Sequence, residues 1–307
     1  MIAVTGANGY IAQATLRFLA SNNQSVVAIS RGQPNFALPE GVTWRSSSSY
    51  SSMCELFHGC DSVIHLAGRA HIASEKKSST DFFDLINRKL TLDIVSSAKA
   101  AGVEKFLFVS TVGVHGTWSD SVIDSSSAIR PDSAYAISKV KAEVELREFC
   151  FKNLMQLCVV RPPMVYGPAS PGNFQRLVKL IKSGVPLPFG SATAVRSFIY
   201  VDNLASFLAV CASKDLGFYS EFVISDGSDW STMHLTKRIT ELLDIPCPMF
   251  SFPCSLLRLI ARGVGRSREM DSLTRPLVIN SLRSWRKLDW QPIVNPNVGL
   301  IRALEID

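Results

Sequence analysis

The stretch TGANGYIA, Thr5 to Ala12, constrains this chain more than any other. Ile2 to Val4 before it read as an apolar strand, and Tyr10 to Ala20 after it carry apolar residues at helical spacing. A strand must therefore turn into a helix within a few residues. Gly6 permits the tight turn, and Gly9 lets the main chain approach an anion closely. Ala12 keeps the third position small, so that the helix can pack on the strand. The start of such a helix offers free N–H groups and a partial positive charge. The expected occupant is a dinucleotide pyrophosphate, with Gly6, Asn8, Gly9, Tyr10 and Ile11 around it.

Downstream the pattern repeats. Residues 25–30, 61–68, 105–111 and 157–163 are short apolar runs rich in β-branched or aromatic residues. Helical patterns separate them, with a long one over 81–101 capped by Gly102 and another over 134–150. Continuous apolar strands alternating with helices predict a parallel sheet covered on both faces, an α/β Rossmann-type doubly wound fold. After Tyr166 the grammar changes to GPASPG and SGVPLPFG, rich in Pro and Gly. We expect a dinucleotide-binding domain over 1–165, with 203–225 returning to it, and a smaller mixed substrate-binding region over 166–202 and 226–307.

Two further features point to chemistry. At the end of the second strand, where a carboxylate would bind a ribose 2′-hydroxyl, stands Ser30-Arg31. An Arg there can pair with a 2′-phosphate, so NADP is favoured as cofactor, with NAD still open. Tyr135 and Lys139 are four apart at the start of a helix and share a face. An ammonium beside a phenol is expected to lower the phenol pKa, giving a proton carrier near neutral pH. Thr111, at the end of a strand, can hydrogen-bond the same substrate oxygen.

Composition excludes several alternatives. The net charge of +6 is spread along the 307 residues and accompanies no recognition motif, so nucleic acid is not expected as a partner. Seven Cys form no CxxC pair, and no Cys/His spacing suits a metal. The first residues already read as a strand, and no apolar run reaches about 18 residues, so a cytoplasmic chain without membrane insertion is expected. Residues 253–261, PCSLLRLIA, are apolar but short; they could lie on a membrane surface, though packing on the protein itself is the reading preferred. Arg69 and His71 follow the strand at 61–68, where a substrate could approach, and His65 within it reads as structural.

TGANGYIA, VIHLAG, Asn87, FVSTVGVHG, YAISK, RPPMVYGP and RSFIYVDNLA occur in this order over nearly the whole chain. The chain resembles the extended short-chain dehydrogenase/reductases, in the nucleotide-sugar epimerase/dehydratase group. Within it the chain looks most like bacterial UDP-N-acetylhexosamine 4-ketoreductases and epimerase-like enzymes of surface-polysaccharide synthesis. The resemblance implies Thr111, Tyr135 and Lys139 as the catalytic triad. It implies Leu66, Ala67 and Gly68 along the cofactor, Asn173 and Arg196 facing a substrate diphosphate, and the backbone near Phe189 facing uracil. It also implies a UDP-sugar substrate and a homodimer formed through a two-helix face. A 4,6-dehydratase of this group needs an Asp-Glu pair just after the catalytic Thr; this chain has Val112 and Gly113. Met164 stands where many relatives carry Asn. The expected reaction is NADPH-dependent reduction of the 4-keto group of a UDP-linked 6-deoxy-N-acetylhexosamine. An NAD-dependent UDP-hexose or UDP-N-acetylhexosamine 4-epimerase and a non-catalytic NADP-binding sensor are the alternatives.

Overall fold

Seven parallel strands form the main sheet of the protein, side by side in the order 42–46, 26–30, 2–5, 62–65, 105–109, 156–161 and 219–223. The structure is a computed structural model and describes residues 1–46, 53–69 and 80–305. Its first half runs β1 (Ile2–Thr5), α1 (Tyr10–Ser21), β2 (Val26–Ser30), β3 (Val42–Ser46), α2 (Met53–Leu56) and β4 (Ser62–His65). It continues through α3 (Thr80–Asp84), a π-helical turn (Leu85–Lys89), α4 (Leu90–Ala100), β5 (Lys105–Val109), a 3₁₀ turn (Val112–His115), α5 (Ala134–Lys152) and β6 (Gln156–Arg161). The second half comprises β7 (Met164–Tyr166), α6 (Asn173–Lys182), β8 (Val195–Tyr200), α7 (Val201–Ser213), β9 (Tyr219–Val223) and β10 (Asp229–Ser231). Five helices follow: α8 (Thr232–Leu243), α9 (Cys254–Gly263), α10 (Ser267–Thr274), α11 (Leu282–Leu288) and α12 (Pro296–Ala303).

The chain leaves β1 toward β2 and β3 on one side, then returns to β4 on the other. That reversal opens a crevice beyond the carboxyl ends of β1 and β4, where doubly wound sheets bind ligands. One sheet face packs on α1 and α7 through Leu16, Leu19, Leu204 and Phe207, all fully buried. The other packs on α4 and α5 through Val95, Ala98, Ala142 and Leu146. Each such Leu or Phe contributes about 1.5–3 kcal/mol by leaving water. The small sheet β10-β8-β7 covers a second core around Tyr166, Phe174, Phe198 and Tyr200. Asp226 ties this layer to the main sheet: it accepts from Tyr200 N (2.8 Å), Asn203 Nδ2 (2.8 Å) and Tyr166 Oη (3.2 Å).

The expected strands are present but end sooner. Leu66–Gly68 and Ser110–Thr111 leave the ladder and turn into the crevice. β3 is not legible in sequence: it is an edge strand with no fully buried residue, and so lacks the continuous apolar run that marks its neighbours. The helix expected over 81–101 is interrupted by the π turn that carries Asn87, fully buried, toward Arg69. His71 falls outside the described residues.

Candidate active site

Two cavities line the crevice and share Gly9, Leu66, Gly68 and Arg69 as a common wall. The smaller, about 320 Å³, extends over Gly6, Asn8, Ser30, Arg31 and Ala67. The larger, about 560 Å³, runs from Tyr10 and Ile11 past Thr111, Tyr135 and Lys139 to Asn173 and Arg196.

The glycine turn forms the floor between them. Gly6 has φ +70° and its backbone abuts the β4 exit: a Cβ here would lie 2.6 Å from Ala67 N. A Cβ on Gly9 would lie 3.0 Å from Gly6 O. No side chain caps α1 and no acidic residue occupies its first turn, so its leading N–H groups face the crevice without a competing anion. Asn8 serves the turn itself. Its Nδ2 donates to Gln33 O (3.0 Å) and Ser30 Oγ (3.4 Å), and its Oδ1 accepts from Asn35 N (3.0 Å). The loop after β2, with Arg31 on the cavity wall, is thereby held against the glycines. These features fit a dinucleotide: a Cβ-free approach, an uncapped helix start and a groove continuous on both sides. Gly6→Ala is expected to abolish dinucleotide binding and to destabilise the fold by about 1–2 kcal/mol from the left-handed backbone alone. Fluorescence titration with NAD and a thermal melt check both.

Beyond the turn the larger cavity gathers hydroxyls and a cation. Ser133 caps α5 by accepting from Ala136 N (3.1 Å), which sets Tyr135 in the first turn with Lys139 one turn later. Lys139 Nζ donates to Val109 O (2.9 Å) and sits 4.4 Å from the centre of the Phe108 ring. Thr111 Oγ1 accepts from Gly113 N (3.1 Å), capping the 3₁₀ turn, and its own O–H is left for a ligand. The geometry corrects one expectation. The Lys139 ammonium is engaged with the β5 carbonyl and ring rather than lowering the phenol, and burial pushes the Tyr135 hydroxyl up to about 12. Burial also brings Lys139 down to about 8, against an upward pull from Glu143.

Two positioning contacts surround this group. Asn87 donates from Nδ2 to Arg69 O (3.0 Å) and Ser138 Oγ (3.1 Å), and its Oδ1 accepts from Arg69 N (2.8 Å). It clamps the β4 exit to α5. His65, fully buried, bonds Thr5 Oγ1 through Nδ1 (2.8 Å) and Thr91 Oγ1 through Nε2 (3.0 Å). Burial and then the nearby Lys139 bring it down to about 3, so it stays neutral and structural. Ser110 Oγ, which sequence reasoning did not single out, is buried at the cavity wall with no hydrogen-bond partner among the described residues. Its only sequence signal is its place before Thr111 at the end of an apolar strand.

At the far end Arg196 is buried, donating Nη1 to Arg275 O (2.8 Å) and Nη2 to Thr117 O (3.0 Å). It forms no salt bridge among the described residues, and burial lowers it to about 10. A buried guanidinium held by carbonyls and open to a cavity suits an anionic ligand. Asn173, the first residue of α6, and Met164 share its wall. Phe189 is not among the residues that line this cavity; its ring is in the second core, and its carbonyl accepts from Ala192 N (2.9 Å). Val112 and Gly113 line the cavity without a titratable group.

Residues 2–223 match the model of the NAD dependent epimerase/dehydratase family. A UDP-glucose 4-epimerase from Vibrio cholerae is 30% identical over 234 residues, covering 75% of this chain and 71% of that protein. An N-acetyl-alpha-D-glucosaminyl-diphospho-ditrans,octacis-undecaprenol 4-epimerase from Escherichia coli O157:H7 is 24% identical over 257 residues, covering 83% and 76%. Among solved structures, UDP-glucose 4-epimerase from Thermotoga maritima with UDP-glucose superimposes with a TM-score of 0.80 at 22% identity, covering 99% of this chain and 97% of that one.

Proposed function

We propose, for a chain that belongs to the NAD dependent epimerase/dehydratase family, that it is a 4-epimerase of diphosphate-linked hexoses using NAD. One observation carries the reading: a single cavity joins Tyr135, Lys139 and Thr111 at one end to the buried Arg196, which forms no salt bridge among the described residues, at the other. The first end handles a proton at a sugar oxygen, and the second suits a diphosphate.

Bound NAD supplies a reversible hydride acceptor beside the sugar carbon. Gly6 and Gly9 let its pyrophosphate approach α1, and Leu66, Ala67, Gly68 and Arg31 line its path. Tyr135 Oη exchanges a proton with the oxygen on C4. Thr111 Oγ1 donates to the same oxygen and fixes its direction. Lys139 keeps a positive charge close to the Tyr135 helix turn and to Gly68, whose Cβ would lie 3.5 Å from its Nζ. Asn173 and Arg196 hold the diphosphate, so that C4 stays in register with Tyr135. The ring must expose either face of C4, and the cavity gives it room: Met164, Pro162 and Val112 offer shape without hydrogen bonds that would lock one pose.

Elimination of water needs proton carriers beside Thr111. Val112 and Gly113 supply none, which favours epimerisation over dehydration. The NADPH-consuming 4-ketoreductase is the second reading. Arg31 on the cofactor wall, in place of a carboxylate, favours it; the names of the relatives and of the family favour the epimerase.

One experiment separates them. UDP-glucose or UDP-N-acetylglucosamine is incubated with the purified chain and catalytic NAD, and products are followed by NMR. Interconversion at C4 without net change at 340 nm supports the epimerase. Stoichiometric loss of NADPH on adding a UDP-4-keto-6-deoxy-N-acetylhexosamine, with no interconversion, overturns it in favour of the reductase.

A further inference from the structure

Helix α9 carries an apolar arc that extends well beyond its buried side. Leu257 and Ala261 face inward and are buried. Leu256, Leu259 and Ile260 are 43%, 61% and 55% exposed, and Val264 at the helix end is 66% exposed. At about 100° per residue Leu256 and Leu259 point away from Leu257 and Ala261, and Ile260 lies between the two sets, so the apolar arc is too wide for the helix to bury all of it against the protein. A surface helix ordinarily turns polar residues outward. Here Arg262 borders the outer apolar arc on one side, Arg266 and Arg268 continue past its end, Arg258 turns toward α10 to donate to Thr274 Oγ1 (3.4 Å), and residues 254–268 contain no Asp or Glu. Packing on the protein, the reading preferred from sequence, accounts for only the inner side.

This surface connects directly to the cavity. α10 follows α9, and Arg275 just beyond it gives its carbonyl to Arg196, while Leu277 lines the cavity. At the other end of α9, Cys254 Sγ donates to Ser191 O (3.3 Å).

We propose that the outer face of α9 docks on a bilayer surface containing anionic lipid. Leu256, Leu259 and Ile260 enter the boundary between headgroups and acyl chains, and the exposed Arg262, Arg266 and Arg268 lie over the lipid phosphates. The docking is peripheral, since no described helix is long and apolar enough to cross a membrane. Charge selects lipid over a second copy of this chain: two such faces together would oppose arginine to arginine with no carboxylate from this segment between them. The inference stands on α9 alone and does not depend on the reaction assigned to the cavity.

The test is flotation of the full chain with phosphatidylcholine vesicles, with and without phosphatidylglycerol. Wild type is expected to float with the anionic vesicles at low salt and to be released at high salt. The double variant Leu259→Asp/Ile260→Asp should lose at least about tenfold in partitioning, and Arg262→Gln/Arg266→Gln a similar factor. All four side chains are exposed, and an unchanged thermal melt and NAD titration will show that the fold is intact. If wild type ignores anionic vesicles at low salt, or both variants float as it does, the inference fails. If wild type stays unbound while the Asp variant turns a dimer into a monomer by light scattering, the face belongs to a second copy and lipid docking is overturned.

Discussion

Replacing Tyr135 with Phe is expected to lower kcat by about a hundred- to ten-thousandfold, while NAD affinity changes little. The ring stays, and with it the packing against Phe83, whose ring centre is 6.1 Å away. Only the proton is lost. Epimerisation takes the C4 hydroxyl proton away as hydride leaves and returns it as hydride comes back, so Tyr135 must act in both directions; burial, which pushes its phenol up to about 12, favours the donating half. No other titratable hydroxyl in the cavity replaces it: Thr111 and Ser110 are alcohols that ionise far above any working pH. A Phe variant that keeps more than a tenth of wild-type turnover would remove Tyr135 from the chemistry. The neighbouring cation adds a pH signature. Lys139 is depressed by burial to about 8, so its charge is present below that pH and lost as pH rises through it. The rate should therefore fall above pH 8, with the limb set by Lys139. A pH–rate profile flat to pH 10 would show that the ammonium charge is not required.

The glycine turn was the most legible part of this chain because its constraint is local. Gly6 takes positive φ within one short strand-to-helix loop, which is the part the sequence shows; its close approach to Ala67 at the exit of β4 is a tertiary contact that it does not show. The same locality made Tyr135 and Lys139 visible as a helical pair. Direction was not visible. Spacing puts two residues on one face of a helix, but only the position of the Val109 carbonyl and the Phe108 ring decides where an ammonium points. Arg196 was expected as an anion site; what sequence could not show is that its two anchors, Thr117 O and Arg275 O, are each 79 positions away on opposite sides of it. Edge strand β3 left no trace because half-exposed residues carry no periodic signal. Ser110 became visible only when its hydroxyl was found buried and unpartnered.

Removing Glu143 should cost the fold about 3–5 kcal/mol, the penalty for leaving a buried cation without its partner. Arg161, at the end of β6, donates Nη2 to Glu143 Oε2 at 2.7 Å and Nε to Oε1 at 3.2 Å. Both side chains are buried, at 5% and 8% exposure. Arg161 also reaches Glu221 of β9 at 3.3 Å and His115 Nε2 at 3.4 Å. His115 Nδ1 lies 3.1 Å from Ala128 O, so Nδ1 carries the proton and Nε2 accepts from the guanidinium. Burial keeps His115 neutral. One cluster thus joins α5, which carries Tyr135 and Lys139, to β6, β9 and the turn after Thr111. Glu143→Ala breaks it and leaves only the half-exposed Glu221 facing the charge. Out of the roughly 5–15 kcal/mol of a typical domain, such a loss is large, and urea denaturation would register it as a lower midpoint at unchanged slope. Glu143→Met/Arg161→Met should cost less than Glu143→Ala alone, because it removes the uncompensated charge together with the pair. If the double variant is instead the less stable of the two, the pair is a net source of stability, and its attraction exceeds the cost of burying both ions.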